Sequence, residues 1–417
     1  AVRQPARPEL MPPAPTLTVT LRYAGGPGFG PTLELGSTVA TIGKGVFGTS
    51  TNDPIDITAQ VQRVMIRRGR TRVLDKFEAG VASFDMIDTT GRFDIDSGTY
   101  GTPKPMLQVR ISANYNGTDR WLFSGFTQEW DYRWRQGVDA SLITVTCVDA
   151  FRAFSLSDVT SIPGTSAGQT SDQRLDDILD DISWPTSVRQ FDTGNTTLVD
   201  DPGSARTALD ALQAVNQAEM GGFWIDTDGD VRFMSRHNAI KTGKGTPTEF
   251  DDDGTNIDYQ GIDFEMDDQV LINSASITRD GGTAQTASDA TSISDFFLRS
   301  YKKTGMLMAD NTQALNHAQA LVAARKDAAI RVKSITLDLT EDVTARVEAG
   351  LDLDFFSPIK VTRSAPGSNR VTRSLVIQGV QHQITPQKWT TTLTTAEPIA
   401  DGFILDTDKL GTGVLGY

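Results

Sequence analysis

A single cysteine, Cys147, stands in 417 residues, which excludes an internal disulfide and every multi-cysteine zinc pattern. Flanked as Ile143-Thr144-Val145-Thr146-Cys147, it reads as a small buried apolar side chain. Histidine is nearly as scarce. His237, His317 and His382 fall on three different expected elements with no carboxylate or cysteine cluster beside them, so they suggest neither a metal site nor a catalytic triad. No stretch approaches the roughly 20 apolar residues of a membrane-crossing helix, so no stable membrane insertion is expected. Basic residues number 39 against 53 acidic ones, and the net charge of -14 opposes phosphate-backbone binding as the main activity. Residues 1–14 lack the apolar core of a secretory signal and run into the proline-rich Pro8 to Pro15. They read as a flexible arm, with Ala1 consistent with removal of an initiator methionine.

What is present is ordinary globular composition, 38% hydrophobic and 22% charged, in a chain too long for one core. Strict alternation marks a half-buried strand at Leu17, Val19, Leu21 and Tyr23. It recurs at Ala82-Phe84-Met86, Leu107-Val109-Ile111, Trp121-Phe123 and Ile143-Val145-Cys147, so residues 15–155 read as an antiparallel β domain. A period of 3.6 follows: Leu175, Ile178, Leu179 and Ile182 share a helix face that ends at Trp184-Pro185. A second stripe, Ala205, Ala208, Leu209, Leu212 and Val215, stops at Gly221-Gly222. Asp228-Gly229 predicts a two-residue hairpin turn with Trp224 opposite Phe233, making 156–250 a small α/β domain. Alternation resumes at Ile335-Leu337-Leu339, Leu351-Leu353-Phe355, Leu375, Ile377 and Leu393. This second β-rich domain, 251–400, is interrupted by one helix from Asn311 to Lys326, for which Asp310 and Gln313 form a capping box. No primary repeat aligns the two β domains. Residues 401–417 read as a C-terminal docking tail. The fold class is therefore mainly β with α+β parts.

Three motifs carry possible chemistry and lose to simpler readings. Gly164-Thr165-Ser166-Ala167-Gly168 matches a nucleophile elbow, but Ser161-Ile162-Pro163 before it is no strand and Gln169-Thr170-Ser171 after it does not continue as that turn requires; it reads as a loop. Gly43-Lys44-Gly45-Val46-Phe47-Gly48 matches a dinucleotide fingerprint, yet Thr51-Asn52-Asp53-Pro54 prevents the helix that would hold a pyrophosphate. Asp226-Thr227-Asp228-Gly229-Asp230 begins like a calcium loop, but Val231 and His237 stand where glycine and glutamate are needed. Trp121, Trp130, Trp134 and Trp184 are better core and interface anchors than a sugar platform. No catalytic, cofactor-binding or metal-binding residue is assigned, and no cofactor is expected.

An ordered set of short motifs then resembles the minor tail proteins of actinobacterial siphophages, the tail-associated or baseplate-hub family. It opens with Asp56-Ile57-Thr58, Arg68-Gly69-Arg70, Phe77-Glu78-Ala79-Gly80, Gly91-Arg92-Phe93-Asp94 and Leu122-Phe123-Ser124-Gly125. It continues with Leu175 to Leu179, Trp184-Pro185, Asp192-Thr193-Gly194 and Gly222 to Asp226. It ends with Thr278 to Gly282, Gln285-Thr286-Ala287 and Val380 to Thr385 with Trp389.

The resemblance implies tail-tube-like β-barrel domains plus a small α/β domain, and a homotrimer in which two barrels per chain give a pseudo-sixfold ring. It further implies a virion tail tip location after assembly in the host cytoplasm, with a channel for genome ejection and DNA only in transit. The implied partners are further copies of the chain, the distal tail protein or tail tube, the tape measure protein, and other minor tail or receptor-binding proteins. The competing readings are a distal tail ring protein, a receptor-binding module, and a cell-wall or polysaccharide-degrading tail enzyme. If the β domains line a channel, the acidic excess keeps DNA from sticking. Arg67, Arg68, Arg70 and Arg72 form the one basic cluster that would instead hold it.

Overall fold

The computed structural model describes residues 15–23, 26–29, 54–71, 76–96, 98–134, 139–265, 271–327, 331–364 and 370–398, and the backbone of two short strands, Gly402–Phe403 and Val414–Leu415. The N-terminal arm, the Gly43–Gly48 motif, Arg72 and the side chains of the C-terminal tail lie outside them.

The alternating residues of the first β region turn inward: Val19, Leu21, Ala82, Phe84, Met86, Val109, Ile111, Phe123, Ile143, Val145 and Cys147 are all buried. Each large apolar side chain taken from water stabilises the fold by about 1.5–3 kcal/mol, which makes the pattern binding on register. The strands pair around a ring: Thr16–Arg22 with Gln108–Tyr115, then Thr118–Trp134, Ser141–Val148, Glu78–Asp88 and Val61–Gly69. The chain itself links the two ends of this order: Ile55–Asp56 pairs with Thr16–Arg22 and passes through a 3-10 turn, Thr58–Gln60, into Val61–Gly69.

A second ring repeats this cyclic order. Thr248–Asp251 pairs with Pro358–Ser364, then Arg370–Thr385, Lys388–Ala396, Arg331–Asp338 and Gly261–Glu265. Ile257–Asp258 pairs back onto Thr248–Asp251 and leads into Gly261–Glu265, so the chain links the two ends as before. Local details coincide. Met106 (φ 65°) and Phe356 (φ 64°) both adopt left-handed backbone, and donate to Thr127 O (2.7 Å) and Ile377 O (2.8 Å) respectively. The long strand bulges next to that point in both rings, between Thr127 and Glu129 and between Ile377 and Gly379. The rings differ in their first strand, antiparallel to its neighbours in one and parallel in the other. This internal duplication is hard to see in the sequence because equivalent positions share burial and only scattered identities, such as Ser83 with Ser334 and Thr146 with Thr394.

The two rings are not separate sheets. Val61–Gly69 pairs on its outer side with Arg370–Thr385, from Val64 opposite Ile384 to Gly69 opposite Gly379, and fuses both rings into one 14-stranded sheet.

Between them in sequence, helix Ser171–Asp181 starts with a capping box, Thr170 with Gln173, and buries Leu175, Ile178 and Leu179. Helix Ala208–Glu219 packs against it and ends in a left-handed Met220, one residue before the glycine pair expected to stop it. The hairpin Gly222–Ile225 and Val231–Met234 sets Phe223, not Trp224, opposite Phe233, and Trp224 faces Arg232. Asp226 N–H closes on Asp230 O, so the loop has three residues with Gly229 (φ 94°) as the third. A glycine placed there makes a type I turn with a bulge, and the register shifts by one from the two-residue expectation.

Among the described residues, the second β region carries three helices where one was expected. Helix Asn311–Arg325, capped by Asp310 accepting from Gln313 N–H (2.9 Å), covers a small sheet of Ser274–Arg279, Gln285–Ser288 and Ser300–Met306. The reciprocal half of its expected capping box is not made, since Gln313 Oε1 has no partner. Ala290–Phe296 is a second helix. Thr344–Asp352 is the third and replaces the start of the strand expected at Leu351-Leu353-Phe355. Val347 and Leu351 are buried one helical turn apart, a spacing that three alternating residues do not reveal.

Candidate functional site at the junction of the rings

The densest convergence of named side chains lies where Val61–Gly69 meets Arg370–Thr385 and the Gly222–Ile225 hairpin. Arg68 is buried there. It donates to Asp354 Oδ2 (3.2 Å) and Ile225 O (3.3 Å), lies 3.8 Å from Asp226 Oδ1, and stacks 4.9 Å from the Phe355 ring. Arg70, also buried, donates from Nε to Gln378 Oε1 (2.7 Å) and lies 4.5 Å over Phe77. Phe77, Trp224, Phe355 and Phe356 form one aromatic cluster with centroids 5.2–5.9 Å apart. Desolvated cations sandwiched between aromatic faces and carboxylates gain from both, and losing one partner is costly. The basic cluster is thus not an open patch. Arg68 and Arg70 bond internally, and exposed Arg67 pairs with Glu78 at 2.9 Å.

Backbone shape completes the junction. Gly69 has φ 103°, and a Cβ there would sit 2.3 Å from Gln378 O and 2.8 Å from Phe355 Cε1. A Cβ at Gly80 would meet Asp149 Oδ2 at 2.8 Å, and one at Gly222 would meet the Phe356 ring at 2.6 Å. Asp149 is buried beside them and accepts from Gly80 N–H (2.5 Å) and Phe151 N–H (2.9 Å). Burial pushes its carboxyl up to about 7, against the pull of those two N–H groups and of Arg68. Burial likewise raises Asp354, opposed by Arg68.

The remaining sequence candidates have structural places. Asp226 accepts from Arg232 Nε (2.7 Å), Asp230 from Gln190 Nε2 (2.6 Å), and Asp228 O from Arg110 Nη2 (3.2 Å). The acidic turn is therefore a hairpin tip docked on the first ring, where Ser124 Oγ also donates to Thr227 O (2.8 Å). Arg110 lies 3.8 Å over Trp121 and donates to Phe29 O (2.6 Å); desolvation lowers its pKa to about 10. Ser166 sits in an exposed loop whose carbonyl accepts from the fully buried Arg174. His317 and His382 are buried, and desolvation brings each down to about 3, with Arg236 and Arg68 respectively adding to the shift. His382 Nδ1 lies 2.9 Å from Thr391 Oγ1. His237 is exposed, and its N–H donates to Asn195 Oδ1 (3.1 Å). Glu219, fully buried, was not singled out by sequence; it accepts from Ser171 Oγ (2.5 Å) and Thr196 N–H (2.8 Å), tying the two middle helices to the loop between them. Trp184 packs edge-on against Phe154.

The geometry is that of a framework built to hold rings and hairpin in one arrangement. No family model and no curated protein matches the sequence. Solved structures do match the fold. The tail protein from Neisseria meningitidis MC58 aligns with a TM-score of 0.58 at 12% identity, covering 92% of this chain and 97% of that one. The 43 kDa tail protein of prophage MuSo2 from Shewanella oneidensis aligns with a TM-score of 0.51 at 12% identity, covering 83% and 94%. The chain has, over nearly its whole length, the mainly β fold of phage tail proteins.

Proposed function

We propose that this chain is a structural baseplate hub or minor tail protein at the tail tip of a non-contractile phage, and not an enzyme. The observation that carries the reading is the duplicated ring. Two six-stranded rings of one cyclic order, fused through Val61–Gly69 and Arg370–Thr385, suit a threefold assembly that presents six equivalent units to a hexameric tube. The first ring, the small α/β unit and the second ring correspond in this reading to domains at 15–155, 156–250 and 251–400. Such a homotrimer closes or extends the tail tube, anchors host-recognition proteins, and leaves a channel for genome ejection. Its neighbours would be the distal tail protein or tube end, the tape measure protein and receptor-binding proteins. The charge of -14 per chain suits a bore that DNA passes without adhering. The structural role is supported by the way Asp149, His382 and the acidic turn are each taken up by internal bonds.

The test is copy number at the tip of purified tails, by cryo-electron microscopy or native mass. Three copies are expected. Six would refute the hub and favour a distal ring.

A further inference from the structure

Each ring lacks, among the described residues, the neighbour that the other ring possesses. The second half of Arg370–Thr385 has Lys388–Ala396 on one side and Val61–Gly69 on the other. The equivalent half of Thr118–Trp134 has Ser141–Val148 on one side and no described strand on the other. Conversely, Val61–Gly69 is paired on both sides, whereas its equivalent, Gly261–Glu265, pairs with Arg331–Asp338 alone. Among the described residues, one ring therefore offers an unpaired acceptor edge and the other an unpaired donor edge, the two halves of a joint already made once inside the chain.

We infer that Gly261–Glu265 of one copy adds as a strand to residues 129–134 of the next copy, in the register of the internal joint. This rests on the trimeric hub reading. The shared hydrogen bonds align the rings residue by residue. Thr127 corresponds to Ile377, so Trp134 corresponds to Ile384 and Arg133 to Gln383. Across the ring, Val145 corresponds to Leu393 and Phe84 to Ile335, which matches Val64 with Ile262 and Met65 with Asp263. The internal pairs Ile384 with Val64 and Gln383 with Met65 thereby become Trp134 with Ile262 and Arg133 with Asp263 between copies.

The side chains on these edges fit that register. Trp134 is 56% exposed and Phe264 is 37% exposed, large apolar groups that a free sheet edge does not ordinarily show. Opposite charges meet at Arg133 and Asp263. Tyr132, next inward, comes beside Phe264. Each copy has one donor and one acceptor edge, so the contact is head-to-tail. Three copies of two rings close it with no edge left over.

The experiment uses assembled tails carrying Arg133→Cys together with Asp263→Cys. Directly opposed strand residues have Cα atoms about 4.5–5.5 Å apart, within disulfide range. Mild oxidation should give covalent trimers on a non-reducing gel, and either single variant should give monomers. Met65→Cys with Gln383→Cys, the internal equivalent, should close within one chain and reports that fold and chemistry are intact. A second variant, Trp134→Lys, at a side chain 56% exposed, should leave the isolated chain's melting midpoint within about 2 °C and yield tails without this protein. Three copies per tip with the internal pair closing and the Arg133/Asp263 pair failing to link would overturn this interface and leave the hub standing. Normal tip assembly of the lysine variant would also overturn it. Six copies per tip would remove hub and interface together.

Discussion

Replacing Gly69 by alanine tests the junction directly, because two separable costs fall on one methyl group. The first is conformational: φ of 103° is open to glycine and strained for an L residue, at about 1–3 kcal/mol. The second is steric. The new Cβ would lie 2.3 Å from Gln378 O, 2.6 Å from Gly379 Cα and 2.8 Å from Phe355 Cε1, two of the three being backbone of the adjoining strand. Backbone cannot rotate away, so the strands must part, and overpacking of this kind costs about 1–3 kcal/mol more. A total of about 2–6 kcal/mol is expected. Gly91 supplies the control, since its φ is 67° and nothing lies within 4 Å of its would-be Cβ; Gly91→Ala should cost only the conformational part, about 1–2 kcal/mol. Urea unfolding of the purified chain, followed by tryptophan fluorescence because Trp224 sits in the affected cluster, reads both. Equal losses for the two variants would refute the claim that close approach at Gly69 fixes the joint.

Three further outcomes follow from the packing and the buried charges. Leu179→Ala should cost about 2–5 kcal/mol, because Leu179 is fully buried between the middle helices, and an unchanged urea midpoint would show that face to be misread. His382, held down to about 3 by burial and then by Arg68, is neutral when folded but titrates near 6.5 when unfolded. Stability should therefore fall as pH drops below about 6.5, by up to about 1.4 kcal/mol per pH unit for each such histidine, and His382→Gln should remove its share while leaving that of His317, which burial also holds down to about 3. Asp149 works in the opposite sense: its folded value near 7 exceeds the unfolded one, so its ionisation erodes stability as pH rises from about 4 to 7. Comparing His382→Gln with the parent chain at pH 7, 6 and 5 isolates the histidine, and parallel profiles would exclude it. Arg110→Met should free the 226–230 hairpin tip from the first ring, speeding amide exchange there, and unchanged protection at Gly229 would count against the docking contact.

Strands were legible where one face is dry and the other wet, as at Ala82, Phe84 and Met86, since alternation records burial and burial is local. Helix faces were legible for the same reason at Leu175, Ile178 and Leu179. What failed was the fine choice among patterns compatible with one string. Asp228-Gly229 permits two hairpin registers, and Leu351-Leu353-Phe355 permits a helix end as well as a strand. The junction was legible only as motifs without roles. Arg68 and Asp354 lie 286 positions apart, and nothing near Arg68 announces that its partners are an aspartate, a carbonyl and a phenyl ring from distant segments. For that reason the cluster read in sequence as a DNA contact only on condition that it lined a bore, whereas in the fold Arg68 and Arg70 are buried in the joint and Arg67 is exposed beside Glu78.

The strand Arg370–Thr385 of the second ring is hydrogen-bonded directly to Val61–Gly69 of the first, and this has a mechanical consequence. To swivel one ring against the other, all six residue pairs from Gly379/Gly69 to Ile384/Val64 would have to slide together, which loads the ladder in shear, while Arg68 and the aromatic cluster brace it from the hairpin side. Within a chain the two rings therefore act as one stiff lever. In the trimer proposed above, any widening would then arise at the seams between levers, where a strand can peel one hydrogen bond at a time, and the opening force would be set by those seams and not by the strength of the subunit.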